Sequence, residues 1–438
     1  MKTHKIFSLI AAILAILMVF SACGNAAPAA TEAPAAAAAQ AEAKETEAPA
    51  APAEPVTITY CNFSSSGGNE ENLQKMYEAF HEEYPNITVE IEAIGFEDYF
   101  TQLQTRVAGG TAPDCFELNI ENFSAYANKG LLAEITGTDL SGLNETALGA
   151  FNTNGKQYGL PGSFSNVVLF YNADLFDQAG VSYPTADWSH ADLQAAAEAI
   201  RGLGDDIYGI YQGVQTSEFY KVVAQYGGSL LNEDNTAFTI NSPENLEAAQ
   251  MMVDRVQVSN VQPTKVQMGG MGDWDLFMSG RLGMIVTGIW AFQTFTDGCD
   301  FTWDIAVEPG CTQKATHFFS NACVISKDSA HQQAAATWIT WLTSSETVAN
   351  IRIGSGWELP AIKDEKVLAA YLELTPPANR AAVFQSLDYL VVPPMIEDYS
   401  LMSDILDQKL AAAAEGTLTV QEALDQAQAE CEAQIKLG

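Results

Sequence analysis

Basic side chains and histidines are scarce in this 438-residue chain. Twenty Lys and Arg stand against 55 Asp and Glu, and there are five histidines. The formal charge of −35 repels phosphate backbones and anionic headgroups, which excludes nucleic acid and basic-patch membrane binding. Phosphate-cradling and catalytic signatures are missing: no G-x-x-x-x-G-K-[ST], G-x-G-x-x-G, G-x-S-x-G, H-E-x-x-H or Ca-loop pattern occurs. His4, His81, His190, His317 and His331 are scattered, there is no C-x-x-C, and no histidine lies at metal-ligand spacing from a cysteine. No metal and no cofactor are therefore expected. Carboxylates are so abundant that any chosen pair is a weak sign of glycosidic chemistry. No fixed-period repeat is found, which argues against a solenoid.

Long hydrophobic runs are also few. Ile6–Phe20 is almost entirely apolar, but as a helix its fifteen residues reach only about 22 Å, short of the roughly 30 Å hydrocarbon core. With Lys2 and Lys5 before it, this run reads as an export signal. Phe20-Ser-Ala-Cys23-Gly24 follows it and resembles a bacterial lipobox. That resemblance implies cleavage after residue 22 and palmitoylation of Cys23. Residues 24–55 are mostly Ala, Pro and Glu, too poor in bulky apolar groups to offset ordering entropy, and read as a tether. Of the other cysteines, Cys61, Cys115 and Cys323 sit in strand-like apolar runs and read as small buried hydrophobes. Cys299 and Cys311 flank a short strand and either pair or stay free.

From Val56 the chain has the substance of a folded body, with 47% hydrophobic and 10% aromatic residues overall. Val56–Tyr60 alternates as a strand does. Leu73, Met76, Tyr77 and Phe80 repeat at helical spacing after Asn69, a plausible N-cap. Ile87–Ile91 predicts a second strand, Phe96–Ala108 a helix stopped by Gly109-Gly110, Cys115–Leu118 a strand and Phe123–Asn128 a helix. This alternation implies βαβ crossovers and an α/β fold. Short strands are predicted at Tyr158–Pro161, Val167–Tyr171, Leu282–Val286 and Val324–Ser326, with helices between and after them.

Several segments, each weak alone, occur in a specific order: FHEEYPNITV at 80–89, LQTRVAGGTAPD at 103–114, YANKGLLAEI at 126–135, YGLP at 158–161, LFYNADLF at 169–176, FMSGRLGM at 277–284, GIW at 288–290 and GTLTVQEALD at 416–425. Together they resemble the extracellular solute-binding proteins of ABC importers, in the carbohydrate-binding family that includes maltose-binding protein. The resemblance implies a type II two-lobed periplasmic-binding-protein-like fold, its hinge-linked lobes each holding a mainly parallel sheet flanked by helices. Lobe 1 would comprise 56–163 and 324–354, and lobe 2 would comprise 164–323 and 355–438. It also implies a non-enzymatic monomer, lipid-anchored on the extracytoplasmic face of the cell membrane. Such a protein captures a sugar and delivers it to ABC permease transmembrane subunits.

A sugar site needs flat rings for C–H faces and polar side chains for hydroxyls. Loops following strands at a switch point present such groups. The candidates are Phe63 and Ser64 after the first strand, and Asn119, Glu121 and Asn122 after the third. Phe164 and Ser165 near the hinge, Trp290 after Gly288 and Trp357 in a Gly-rich turn complete the set. The maltose branch carries an acid–arginine pair where this chain has Glu121 and Asn122. Phe63 could instead be a core lid, Glu121 a helix cap through the helix dipole, and Trp290 and Trp357 packing groups. A secreted carbohydrate-processing enzyme, a polyamine or peptide binder, and a sensor partner are the rival readings. Mass spectrometry of the membrane fraction is expected to find a chain beginning at an acylated Cys23; an unmodified Cys23 would remove the anchor.

Overall fold

The computed structural model describes residues 54–363 and 365–437. The expected signal, Cys23 and nearly all of the tether lie outside the described residues. β1 (Val56–Asn62) pairs in parallel with β2 (Ile87–Ala93) on one side and β3 (Cys115–Asn119) on the other. The helix Glu70–Glu83 buries Leu73, Met76 and Phe80, the spacing read from the sequence. The next helix, Phe96–Ala108, buries Tyr99 and Leu103. Asn119 ends β3 and caps the helix Ile120–Asn128, its side chain accepting from the Asn122 N–H.

A small hairpin of β4 (Asn152–Thr153) and β5 (Lys156–Gln157) precedes β6 (Gly159–Asn172), whose residues are all buried. β7 (Tyr208–Tyr211) and β8 (Leu282–Gly288) are parallel neighbours, and β9 (Trp303–Ala306) pairs with β6. β10 (Thr316–Ile325) is followed by the short β11 (Leu359–Pro360), which pairs with β6, and β12 (Leu390–Val391), which pairs with β10. The strand order is β2-β1-β3-β10-β6-β8-β7.

β6 and β10 carry this sheet from one half of the molecule to the other. Gly159–Asn166 of β6 pairs antiparallel with β10; from Val167 onward β6 pairs with β8 instead. The last five residues of β10, Asn321–Ile325, pair with β3. Two α/β lobes joined by crossing strands result, as expected. The sheet is mixed rather than mainly parallel, because the crossing strands run antiparallel to each other, β10 to β3, and β6 to β8 and β9. Two expected short strands, 158–161 and 167–171, are one continuous β6, and 324–326 is the end of a ten-residue β10.

The expected return to lobe 2 at residue 355 comes too early. Leu359 and Pro360 pair with Phe164 and Ser163, the Asn144 N–H donates to the Ala361 carbonyl at 2.7 Å, and the Lys363 ammonium sits 2.8 Å from Glu145. These bonds hold residues 359–363 against the first lobe. By Asn379 the chain is bonded to the second, donating its N–H to Asp304 at 2.8 Å. All six cysteines among the described residues are free; Cys61, Cys115 and Cys323 are buried, and Cys299 and Cys311 are unpaired. No helix among the described residues is long and apolar enough to cross a membrane.

The first lobe packs around Trp338, which is fully buried and meets Tyr60 and Phe80 edge to face. In the second lobe, helices Thr216–Gln225, Pro243–Gln257, Tyr399–Ala414 and Val420–Gln434 enclose an apolar cluster that includes Phe219, Leu406 and Leu424. A buried ionic network lies beside it. Lys221 has no exposed surface and sits 2.7 Å from Glu218 and 2.8 Å from Glu308. Gln225 donates to Glu308 at 2.9 Å and accepts from the His190 ring at 2.8 Å. Burial, with Arg255 close by, pushes His190 down to about 4. The folded state thus favours the neutral ring. Its contribution is complete above the ordinary value of 6.5 and is lost as pH falls through about 4. His190→Gln is expected to flatten the fall in unfolding free energy between those two pH values, measured by urea titration; an unchanged slope would show that His190 does not drive it.

Candidate functional site

Both lobes direct the C-terminal ends of their strands toward the crossing. Asn119, the last residue of β3, lies opposite Asn321, and Gly288, the last of β8, lies opposite Val167. Loops after β1, β3 and β8 therefore meet at the crossing strands. Side chains alternate along a strand, and directly opposed residues share a face. Ser163 opposes Asn321, Ser165 opposes Phe319, and Asn321 opposes Asn119. One face of the crossing thus carries Asn119, Ser163, Ser165, His317, Phe319 and Asn321. Phe164 and Phe318 point to the other face and join the hydrophobic core.

Glu121, in the first turn after β3, reaches this strip: its carboxylate lies 3.5 Å from His317 Nε2. The other ring nitrogen, Nδ1, lies 3.2 Å from the Ser217 carbonyl and must donate to it. Burial pushes the His317 pKa down, against the pull of Glu121. A neutral ring that donates through Nδ1 turns a lone pair on Nε2 toward a carboxylate. The pair is short of one proton donor. Glu121 Oε2, Ser165 Oγ and the Tyr220 hydroxyl are likewise buried without a hydrogen-bond partner. Tyr220 meets the His317 ring edge to face at 4.8 Å, and His317 stacks on Phe319.

Trp290 extends the row, its ring 5.1 Å from that of Phe319 and nearly perpendicular to it. Its six-membered ring folds back over Gly288, where a Cβ would collide with three of its carbons. Both Trp290 and Phe319 keep part of their surface open. On the first-lobe side, Glu358 accepts from Ser163 Oγ and, at 3.4 Å, from Asn321, and lies 3.8 Å from Arg352. Glu117 accepts the backbone N–H groups of Phe63 and Ser64 at 3.1 and 2.9 Å. Burial raises its pKa even so. Two surface pockets, about 450 Å³ beside Glu92 and Arg106 and about 500 Å³ beside Glu247 and Asp254, contain no residue of this strip.

Of the residues predicted from sequence, Asn119, Glu121, Ser165 and Trp290 come together here. Asn122 holds Asn119, donating to its side-chain oxygen at 2.8 Å. Ser64 stands beside the strip through its bond to Glu117. Three others are turned away. Phe63 is buried among Phe96, Tyr99 and Phe100, as the core-lid alternative has it. Phe164 is on the opposite face of β6. Trp357 is buried, one ring face covered by the Arg352 guanidinium at 4.2 Å. Sequence reasoning missed His317, Phe319, Asn321, Tyr220 and Glu358. Three of them, His317, Phe319 and Asn321, lie in one segment, His317-Phe-Phe-Ser-Asn321, whose polar residues do not alternate, so no strand period marked them.

The family described as bacterial extracellular solute-binding protein matches residues 75–369. An ABC substrate-binding protein from Listeria monocytogenes, solved in complex with cycloalternan, is 45% identical; the match covers 87% of this chain and 99% of that one, with a TM-score of 0.84. The cyclic alpha-maltosyl-1,6-maltose binding protein from Arthrobacter globiformis is 25% identical over 86% of this chain and 98% of its own, with a TM-score of 0.72. An arabinooligosaccharide-binding protein from Halalkalibacterium halodurans is 20% identical over 82% of this chain and 85% of its own.

Gly288→Ala is expected to push the Trp290 indole off the end of β8 and into water, seen as a red shift in tryptophan emission. The shift should vanish when Trp290→Phe is added; emission unchanged by Gly288→Ala would refute the close packing.

Proposed function

The chain belongs to the bacterial extracellular solute-binding proteins, and we propose that it captures an uncharged oligosaccharide between its lobes and hands it to the transmembrane subunits of an ABC importer. The Glu121–His317 pair carries this reading. Two buried acceptors face each other without a donor, and a ligand hydroxyl supplies one. Ser165, Tyr220 and the second oxygen of Glu121 offer further unmatched positions, at which a polyol exchanges bonds to water for bonds to protein. Trp290 and Phe319 present partly open rings for the C–H faces of the sugar. The relatives that hold or are named for oligosaccharides, two of them cyclic, support the same ligand class.

The residues bind and orient; no bond in the ligand is broken. Groups from both lobes line the strip, so a ligand touching both favours the state in which they approach. The protein works as a monomer, held to the outer face of the membrane through Cys23. Thermal unfolding with cycloalternan and with maltotetraose tests the ligand class. A ligand at 100 times its Kd adds about 2.7 kcal/mol, and at least one of the two should raise Tm accordingly. Trp290→Ala should remove most of that rise while leaving the unliganded Tm within a few degrees. No shift with either sugar, or full retention by Trp290→Ala, would overturn the reading.

A further inference from the structure

We propose that Phe96 forms an outlying stacking subsite, so that the cleft takes oligosaccharides in preference to disaccharides. This rests on the oligosaccharide reading above. Phe96 is 58% exposed, the most open aromatic ring among the large exposed hydrophobic residues described. It opens the helix that follows β2, and β2, β1 and β3 are parallel neighbours. Their C-terminal ends therefore lie along one edge, the edge that carries Asn119 and Glu121 at its inner end. β2 lies two strand spacings, about 10 Å, outward from β3, and Phe96 follows three residues beyond its end.

The loop that carries it is fixed to the site. The Ile94 N–H donates to the Asn62 carbonyl at 3.0 Å, and Asn62 donates its side-chain amide to Glu92 at 3.2 Å. The following residues, Phe63 and Ser64, are tied to Glu117 by their N–H groups. The ring itself is held by edge-to-face contacts, 5.3 Å to Phe63 and 5.6 Å to Phe100. Phe63, the ring expected to meet the ligand, is spent on supporting Phe96. An open aromatic ring, braced by its neighbours at the sheet edge that carries the buried hydroxyl-binding groups, suits the far unit of a chain of sugars. A disaccharide seated at Glu121 and Trp290 has no unit left to reach it.

Calorimetric titration of the wild type, Phe96→Ala, Phe96→Leu and Phe96→Trp with maltose, maltotetraose and cycloalternan tests this. The Ala and Leu variants should lose about tenfold in affinity for whichever tetrasaccharide the wild type binds, the size of one stacking contact. Maltose affinity should stay within twofold, and the Trp variant should retain tight binding. The Leu variant separates a flat face from apolar bulk: if it binds like wild type, Phe96 only packs on Phe63 and the subsite is refuted. Equal losses for maltose and tetrasaccharide, or no loss, refute it as well. If the wild type binds none of the three sugars, the oligosaccharide reading falls, and the subsite with it.

Discussion

The antiparallel ladder between β6 and β10 is the constraint on which the molecule depends. It is the place where the sheet of one lobe becomes the sheet of the other. Its backbone bonds need no particular side chains, so one face is released from structural duty. The other face still has to seal the core, and Phe164 and Phe318 do so. Structural and binding demands are thereby separated on a pair of strands by nothing more than the pleat.

Several of the buried polar groups left without a partner lie beside that released face. Leaving a buried donor or acceptor unpaired costs about 1–3 kcal/mol, and such groups are rare in folded proteins. Here Glu121, Ser165, Tyr220 and His317 all carry one, within a single neighbourhood. The second lobe buries comparable groups with better company: Lys221 meets two carboxylates, and Gln212 and Gln225 bond to the same acids. Glu117 is different again. It is buried, yet it takes two backbone N–H groups and so shapes the loop after β1. Four of the unpartnered buried groups thus gather beside the crossing strands, where the proposed ligand would supply partners.

Much of the first lobe was legible in the sequence because its periodicities are clean. Leu73, Met76 and Phe80 at helical spacing are the buried stripe of their helix. The crossing strands were not legible, and for one reason. Ser163, Ser165 and Asn166 in β6, and Ser320 and Asn321 in β10, interrupt the apolar pattern by which a buried strand is recognised. Three of these five, Ser163, Ser165 and Asn321, belong to the candidate strip. Pairing Phe164 with Ser165 as joint contacts ignored the period of two, which sets neighbours on opposite faces. Phe63 and Trp357 were chosen for ring chemistry, and only three-dimensional packing reveals that Phe96 and Arg352 lie against them. The late return to the second lobe depends on backbone bonds between 359–363 and 142–145, which leave no trace in local composition.

The pleat of β6 also bears on how such a protein diversifies. A point substitution on the strip alters one contact and leaves the ladder alone. Gain or loss of a single residue between Gly162 and Asn166 would rotate everything beyond it by half a turn, sending Phe164 into the cleft and Ser165 into the core. Lineages descended from this chain are therefore free to vary the letters of the segment but not its length, and changes in length should collect in the loops outside the crossing.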